Sequence, residues 1–120
     1  MAEQWAAKKH EIGGSSKAIW VFHGTDARNI RSIMTYGFKV GGPGGHAPNG
    51  RAFGNGIYTA DGPDTPLLSY GRGKCVVLAR ALEGVSGSGA ESGCDSWRPK
   101  ADWVVFEDGA QLLPRYAIYF

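Results

Sequence analysis

Residues able to do chemistry are few in this chain and widely spaced. Three histidines (His10, His23 and His46) and two cysteines (Cys75 and Cys94) are the candidate metal ligands and nucleophiles. A zinc site needs about four ligands, and neither a CxxC nor an HExxH is present, so no metal is expected. No GxSxG elbow and no cysteine nucleophile signature occur, which removes the common hydrolase readings. The stretch GGPGGHAPNGRAFGNG, residues 41–56, holds seven glycines and two prolines. Its bare backbone N–H groups could cradle a phosphate. It lacks the Walker pattern, however, and Gly54-Asn55-Gly56 begins a GxGxxG whose sixth position is Thr59, with no helix opening there. Taken alone, it predicts a flap or a plain surface loop. His23 ends the apolar run Ala18-Ile19-Trp20-Val21-Phe22 and is followed by Gly24 and Thr25. By itself it reads as a structural histidine.

The elements that must position these residues are marked by apolar periodicity and by breakers. Residues 17–22 predict a buried strand, and Thr25 or Asp26 can cap the helix that follows. Ile30, Ile33 and Met34 form a helical stripe closed by Gly37. Residues 57–60 predict a short strand, 65–70 a helical turn after Asp61-Gly62-Pro63-Asp64, and 74–82 (KCVVLARAL) a strong strand. Residues 84–100 are polar and rich in glycine and serine, which predicts a second long loop. Two further strands, 102–106 and 115–120, flank a turn at Asp108-Gly109. Trp103, Phe106, Tyr116 and Phe120 are expected in the core, with Leu112 and Leu113 packing the turn. The expected class is α+β: a short lead-in helix and flexible linker over residues 1–16, then one domain over 17–120.

Composition sets the outer bounds. With 120 residues, 42% hydrophobic and 20% charged, the chain can bury one real core without metal or disulfide staples. The net charge is +2, from 13 basic and 11 acidic residues, and the basic ones are scattered apart from Lys8-Lys9. That falls short of a nucleic-acid stripe and names no partner. A signal-peptide pattern and a membrane-spanning run are both lacking, so a soluble protein of the cytoplasm or nucleus, with thiols reduced, is expected.

The order of the pieces adds a resemblance. VFHGT at 21–25, FGNGIYTA at 53–60, Ser69-Tyr70, and DWVVFEDGAQLLPRYAIYF at 102–120 together resemble the catalytic domain of the poly(ADP-ribose) polymerase family. The likeness covers residues 19–120, as a minimal transferase core with a small split, antiparallel-rich sheet.

It implies an NAD-dependent ADP-ribosyltransferase that breaks the nicotinamide–ribose bond of its co-substrate. The implied acceptor is a protein, with nucleic acid as the alternative. The implied triad is His23, Tyr58 and Asp102, with His23 on the adenosine-side ribose and Tyr58 lining the nicotinamide ribose. Gly24 would clamp the nicotinamide amide through its backbone, with Thr25 beside it, and Tyr70 would stack on the ring. Thr65 or Ser69 would supply the hydroxyl that holds the amide. Residues 41–56 would form the loop over the dinucleotide, with Arg51 reaching a phosphate, and residues 84–100 the acceptor-side loop.

The family's polymerising members carry Glu where this chain has Asp102. The carboxylate's reach is one methylene shorter, so the implied transfer is of single ADP-ribose units. Glu107 is the other carboxylate on that segment. The competing readings are a silent module that binds NAD or ADP-ribose and an NAD glycohydrolase.

Overall fold

Alternating burial along the apolar runs folds them into one sheet with helices on both faces. The computed structural model describes residues 1–13, 17–40, 53–69, 74–89, 93–100 and 102–120. In chain order the elements are α1 (Ala2–Ile12), β1 (Ala18–Gly24), a 3-10 turn (Ala27–Asn29), α2 (Ile30–Tyr36), β2 (Ile57–Ala60) and α3 (Asp64–Ser69). Then follow β3 (Cys75–Leu82), β4 (Ser86–Gly87), β5 (Ser96–Trp97), β6 (Trp103–Phe106), a second 3-10 turn (Gly109–Gln111) and β7 (Leu112–Tyr119). The class is α+β, with a mixed seven-stranded sheet and a few short helices. Strand order is β4-β5-β6-β2-β1-β3-β7; β4 and β5 run parallel and every other pair is antiparallel.

The two halves of this sheet meet narrowly. β1 pairs with β3 over seven residues, from Ala18↔Leu82 to Gly24↔Val76, but with β2 only at Phe22↔Ala60. Continuing that register would set Gly24 opposite Tyr58, where no pair forms.

The main core lies on one face. Val21, Ile57, Val77, Ala79, Val104 and Phe106 point there and pack with Ile30 and Ile33 of α2 and with Phe38. Strand alternation sends the intervening side chains to the opposite face. On that second face Tyr58, Trp97 and Val105 form a smaller cluster with Phe53 and Trp103. Asp26 caps the first 3-10 turn by accepting from the Arg28 N–H at 3.1 Å, and Gly37 takes φ +85° to end α2. Helix α1 is docked, not detached: the Trp5 indole N–H donates to the Gln111 carbonyl at 3.1 Å, and Lys8 pairs with Asp108 at 3.4 Å.

Several expectations are corrected. Strand β1 does not stop at Phe22 but carries His23 and Gly24, because both residues keep their partners on β3. Residues 84–100 are not a plain loop: β4 and β5 lie within them, and Trp97 is buried. The last strand begins at Leu112, because Gln111 anchors the preceding turn from inside. Its side chain is 1% exposed, donates to the Leu82 and Asp95 carbonyls at 2.9 Å each, and accepts from the Asp108 N–H. Phe106 is in the core, but Trp103 is only half-buried, and Tyr116 and Phe120 are 55% and 67% exposed. Those two sit on the face opposite the main core. Cys75 and Cys94 are free thiols. No described helix is long and apolar enough to cross a membrane.

Candidate active site

At the narrow join between β1 and β2 a side chain replaces the backbone ladder. His23 is 1% exposed, and its Nδ1 lies 2.8 Å from the Tyr58 carbonyl oxygen. A carbonyl only accepts, so Nδ1–H donates to it. The ring meets Phe38 edge-on at 4.8 Å, which holds its plane. Gly24, next in line, has a packing reason to be glycine: a Cβ there would run into the Pro66 carbonyl of α3. Thr25 is fully buried; its hydroxyl accepts from Asn29 at 3.2 Å, and its carbonyl accepts from the Cys75 thiol. Burial first, and the nearby Asp26 charge second, push the Cys75 thiol up from its ordinary pKa.

Tyr58 faces the second cluster. Its hydroxyl accepts from the Phe53 N–H at 2.6 Å and donates to the Gly54 carbonyl at 2.8 Å. Desolvation raises its pKa, and the bond from Phe53 only partly offsets that. The Trp97 indole N–H donates to the Phe53 carbonyl at 2.6 Å. Tyr58 and Trp97 therefore moor the segment that leads out of residues 41–52. The sequence reading missed Trp97. Its signal was a large aromatic within a Gly/Ser-rich polar stretch, which demands a buried seat.

Asp102 immediately precedes β6 and is half-buried. Its Oδ1 accepts from the Thr65 hydroxyl at 3.0 Å, and its carbonyl accepts from the Asp61 N–H at 3.0 Å. The adjacent Trp103 ring meets Tyr58 edge-on at 6.0 Å. Beside it, Arg98 donates to Asp61 at 2.8 Å and Glu83 at 2.9 Å, fastening the stretch after β5 to the ends of β2 and β3. Burial pulls the Arg98 pKa down, but the bonds to Asp61 and Glu83 outweigh it and hold the guanidinium above its ordinary value.

Helix α3 connects these pieces. Thr65 holds Asp102, and the next residue, Pro66, covers Gly24, so Gly24, Thr65 and Asp102 meet around the first turn of one helix. His23 and Tyr58 are joined through the Tyr58 backbone, yet their rings point to opposite faces of the sheet. Glu107 lies at the far end of β6, away from this cluster. It lines a cavity of about 810 Å³ with Lys8, Tyr36, Phe38 and Asp108, and that cavity contains none of His23, Tyr58, Thr65 or Asp102. Arg51, Tyr70 and most of the 41–56 loop lie outside the described residues, as does the side chain of Ser69. Among the described residues no group of three or more His, Cys, Asp or Glu could hold a metal ion. No family model matches the chain, and no curated protein matches it.

Proposed function

We propose that this chain is an NAD-dependent mono-ADP-ribosyltransferase, with the ADP-ribosyltransferase fold and with Asp102 as its catalytic carboxylate. The observation that carries the reading is the Asp102 carboxylate, fixed at 3.0 Å by Thr65 on a helix whose next residue packs on Gly24. A sheet joined at one residue pair between β1 and β2 is what a fold split around a dinucleotide would need.

In the reaction, the bond from ribose C1′ to the nicotinamide nitrogen breaks and its electron pair leaves with nicotinamide. Positive charge grows on the ribose, and a fixed carboxylate stabilises it. An acceptor oxygen or nitrogen then bonds C1′ and gives up its proton. His23, its ring fixed by the Tyr58 carbonyl, is assigned to a ribose hydroxyl, and Gly24 offers backbone to the nicotinamide amide. Thr65 is a positioning residue for Asp102 in this scheme, which leaves the amide-holding hydroxyl to Ser69. Protein is the favoured acceptor.

A second reading is a module that binds NAD without turnover. The engagement of the Tyr58 hydroxyl by Phe53 and Gly54, with its ring 5% exposed, favours that reading.

Incubation with NAD separates the two. Nicotinamide release that disappears in Asp102→Ala, with acceptor mass rising by single ADP-ribose units, supports the transferase. Release without acceptor mass gain indicates a glycohydrolase. Thermal stabilisation by NAD with no release in the wild type sinks the enzyme and leaves the module.

A further inference from the structure

The sheet face opposite the main core carries an aromatic surface over β1, β3 and β7. The register puts Trp20 beside Arg80 and Leu78 beside Tyr116. Trp20 is 45% exposed and Tyr116 is 55% exposed. Their rings lie 6.5 Å apart with planes 28° from parallel, and the Arg80 guanidinium sits 4.8 Å from the Trp20 centroid. Phe120, directly after β7, is 67% exposed. Large flat rings held in water on a rigid sheet are a stacking platform.

The three strands themselves are free of acidic residues; Arg80 and Arg115 lie within them, and exposed Lys17 and Lys74 precede two of them. Asp61, Asp64, Asp95, Asp102, Glu107 and Asp108 belong to the stretches around β2, β5 and β6, while Asp26 follows the end of β1 and Glu83 follows β3, where it is neutralised by Arg98 at 2.9 Å. By strand alternation Lys74 and Arg80 share the aromatic face, and exposed Arg115 adjoins Tyr116 at the register shift in β7, whereas Lys17 alternates with core-facing Ile19 and Val21.

We infer that this face docks a single-stranded nucleic acid, its bases stacking on Trp20 and Tyr116 and its phosphates meeting Arg80, Arg115 and Lys74. An open sheet bearing aromatic and basic side chains suits splayed, unstacked bases. A duplex does not fit, since its grooves admit a protruding helix or ribbon, not a flat face. An apolar protein partner fits less well, because covering Trp20 would desolvate the guanidinium lying over it.

The test is fluorescence anisotropy of labelled short oligouridylate and oligothymidylate with the full chain, without NAD. Its outcome and that of the transferase assay are therefore independent. Binding is expected to weaken about tenfold in Trp20→Ala and again in Tyr116→Ala, while Trp20→Phe retains most of it. The log–log salt slope should be about −2, the value for three phosphate contacts on a single strand. A stronger signal for one oligonucleotide would identify the sugar that is read. Equal binding by folded Trp20→Ala and wild type overturns the proposal, and so does equal binding of a duplex. An oligonucleotide-blind wild type whose self-association is lost in Trp20→Ala also overturns it, making the face a contact between copies.

Discussion

At Asp102 the decisive neighbour is a hydroxyl. Thr65 donates to the carboxylate, so Thr65→Ala frees the side chain to rotate while leaving its charge. For the transferase proposed above, kcat of nicotinamide release should fall by about tenfold with KM little changed, and Thr65→Ser should restore it. An equal loss in Thr65→Ser would show that the methyl packing, not the hydrogen bond, matters. Tyr58 gives a pH signature. Its folded pKa is raised by burial, so the stability it contributes is fully present below the ordinary tyrosine value of about 10. That contribution is lost as pH rises through the higher folded value, when the hydroxyl can no longer donate to Gly54. An ultraviolet titration of the folded chain should show one tyrosine ionising late, and Tyr58→Phe should remove that late step.

At the scale of elements, helix α3 and strand β1 are fitted to one another at Gly24. Gly24→Ala places a methyl against the Pro66 carbonyl, backbone against backbone, with no flexible side chain to yield. Overpacking of this kind costs about 1–3 kcal/mol and should lift α3 away from Asp102. The denaturant midpoint should therefore fall, and with it the nicotinamide release of the proposed transferase. The segment after residues 41–52 depends on Trp97. Trp97→Phe keeps a buried ring but deletes the bond to the Phe53 carbonyl, at a cost of about 1 kcal/mol. Trp97→Ala empties the second cluster and should cost about 3–5 kcal/mol. Much of this layer was legible in advance. The stripe of Ile30 and Ile33, the glycine stop at Gly37 and the strand at 57–60 follow from local periodicity and backbone freedom. The reach of β1 through His23 and Gly24 did not, because it rests on ladder pairs with Val77 and Val76, and the His23 ring found its own partner also far along the chain. That partner is the Tyr58 carbonyl, 35 positions later.

For the whole molecule, the sheet's near-division into two halves sets the arrangement. One half carries Asp102 and its hydrogen-bond partners; the other carries the exposed rings of Trp20 and Tyr116 with Arg80. Helix α1 buries none of its own residues and is held by Trp5 and Lys8 at the second 3-10 turn. A chain beginning at Lys17 should accordingly keep its fold, with the melting temperature lowered by only a few degrees, as circular dichroism would report.

The sequence by itself determined the α+β class, most strands and helices, and the candidate residues His23, Gly24, Tyr58, Thr65 and Asp102. It could do so because periodicity, capping and residue chemistry are local. Which of those residues meet was decided only by tertiary structure. Sheet order and register are long-range, so Thr65 reached Asp102 and Pro66 reached Gly24 through pairings that no window of sequence contains. The same holds for exposure. Tyr116 and Phe120 look like core residues on a strand, and only an uncovered sheet face leaves their rings in water.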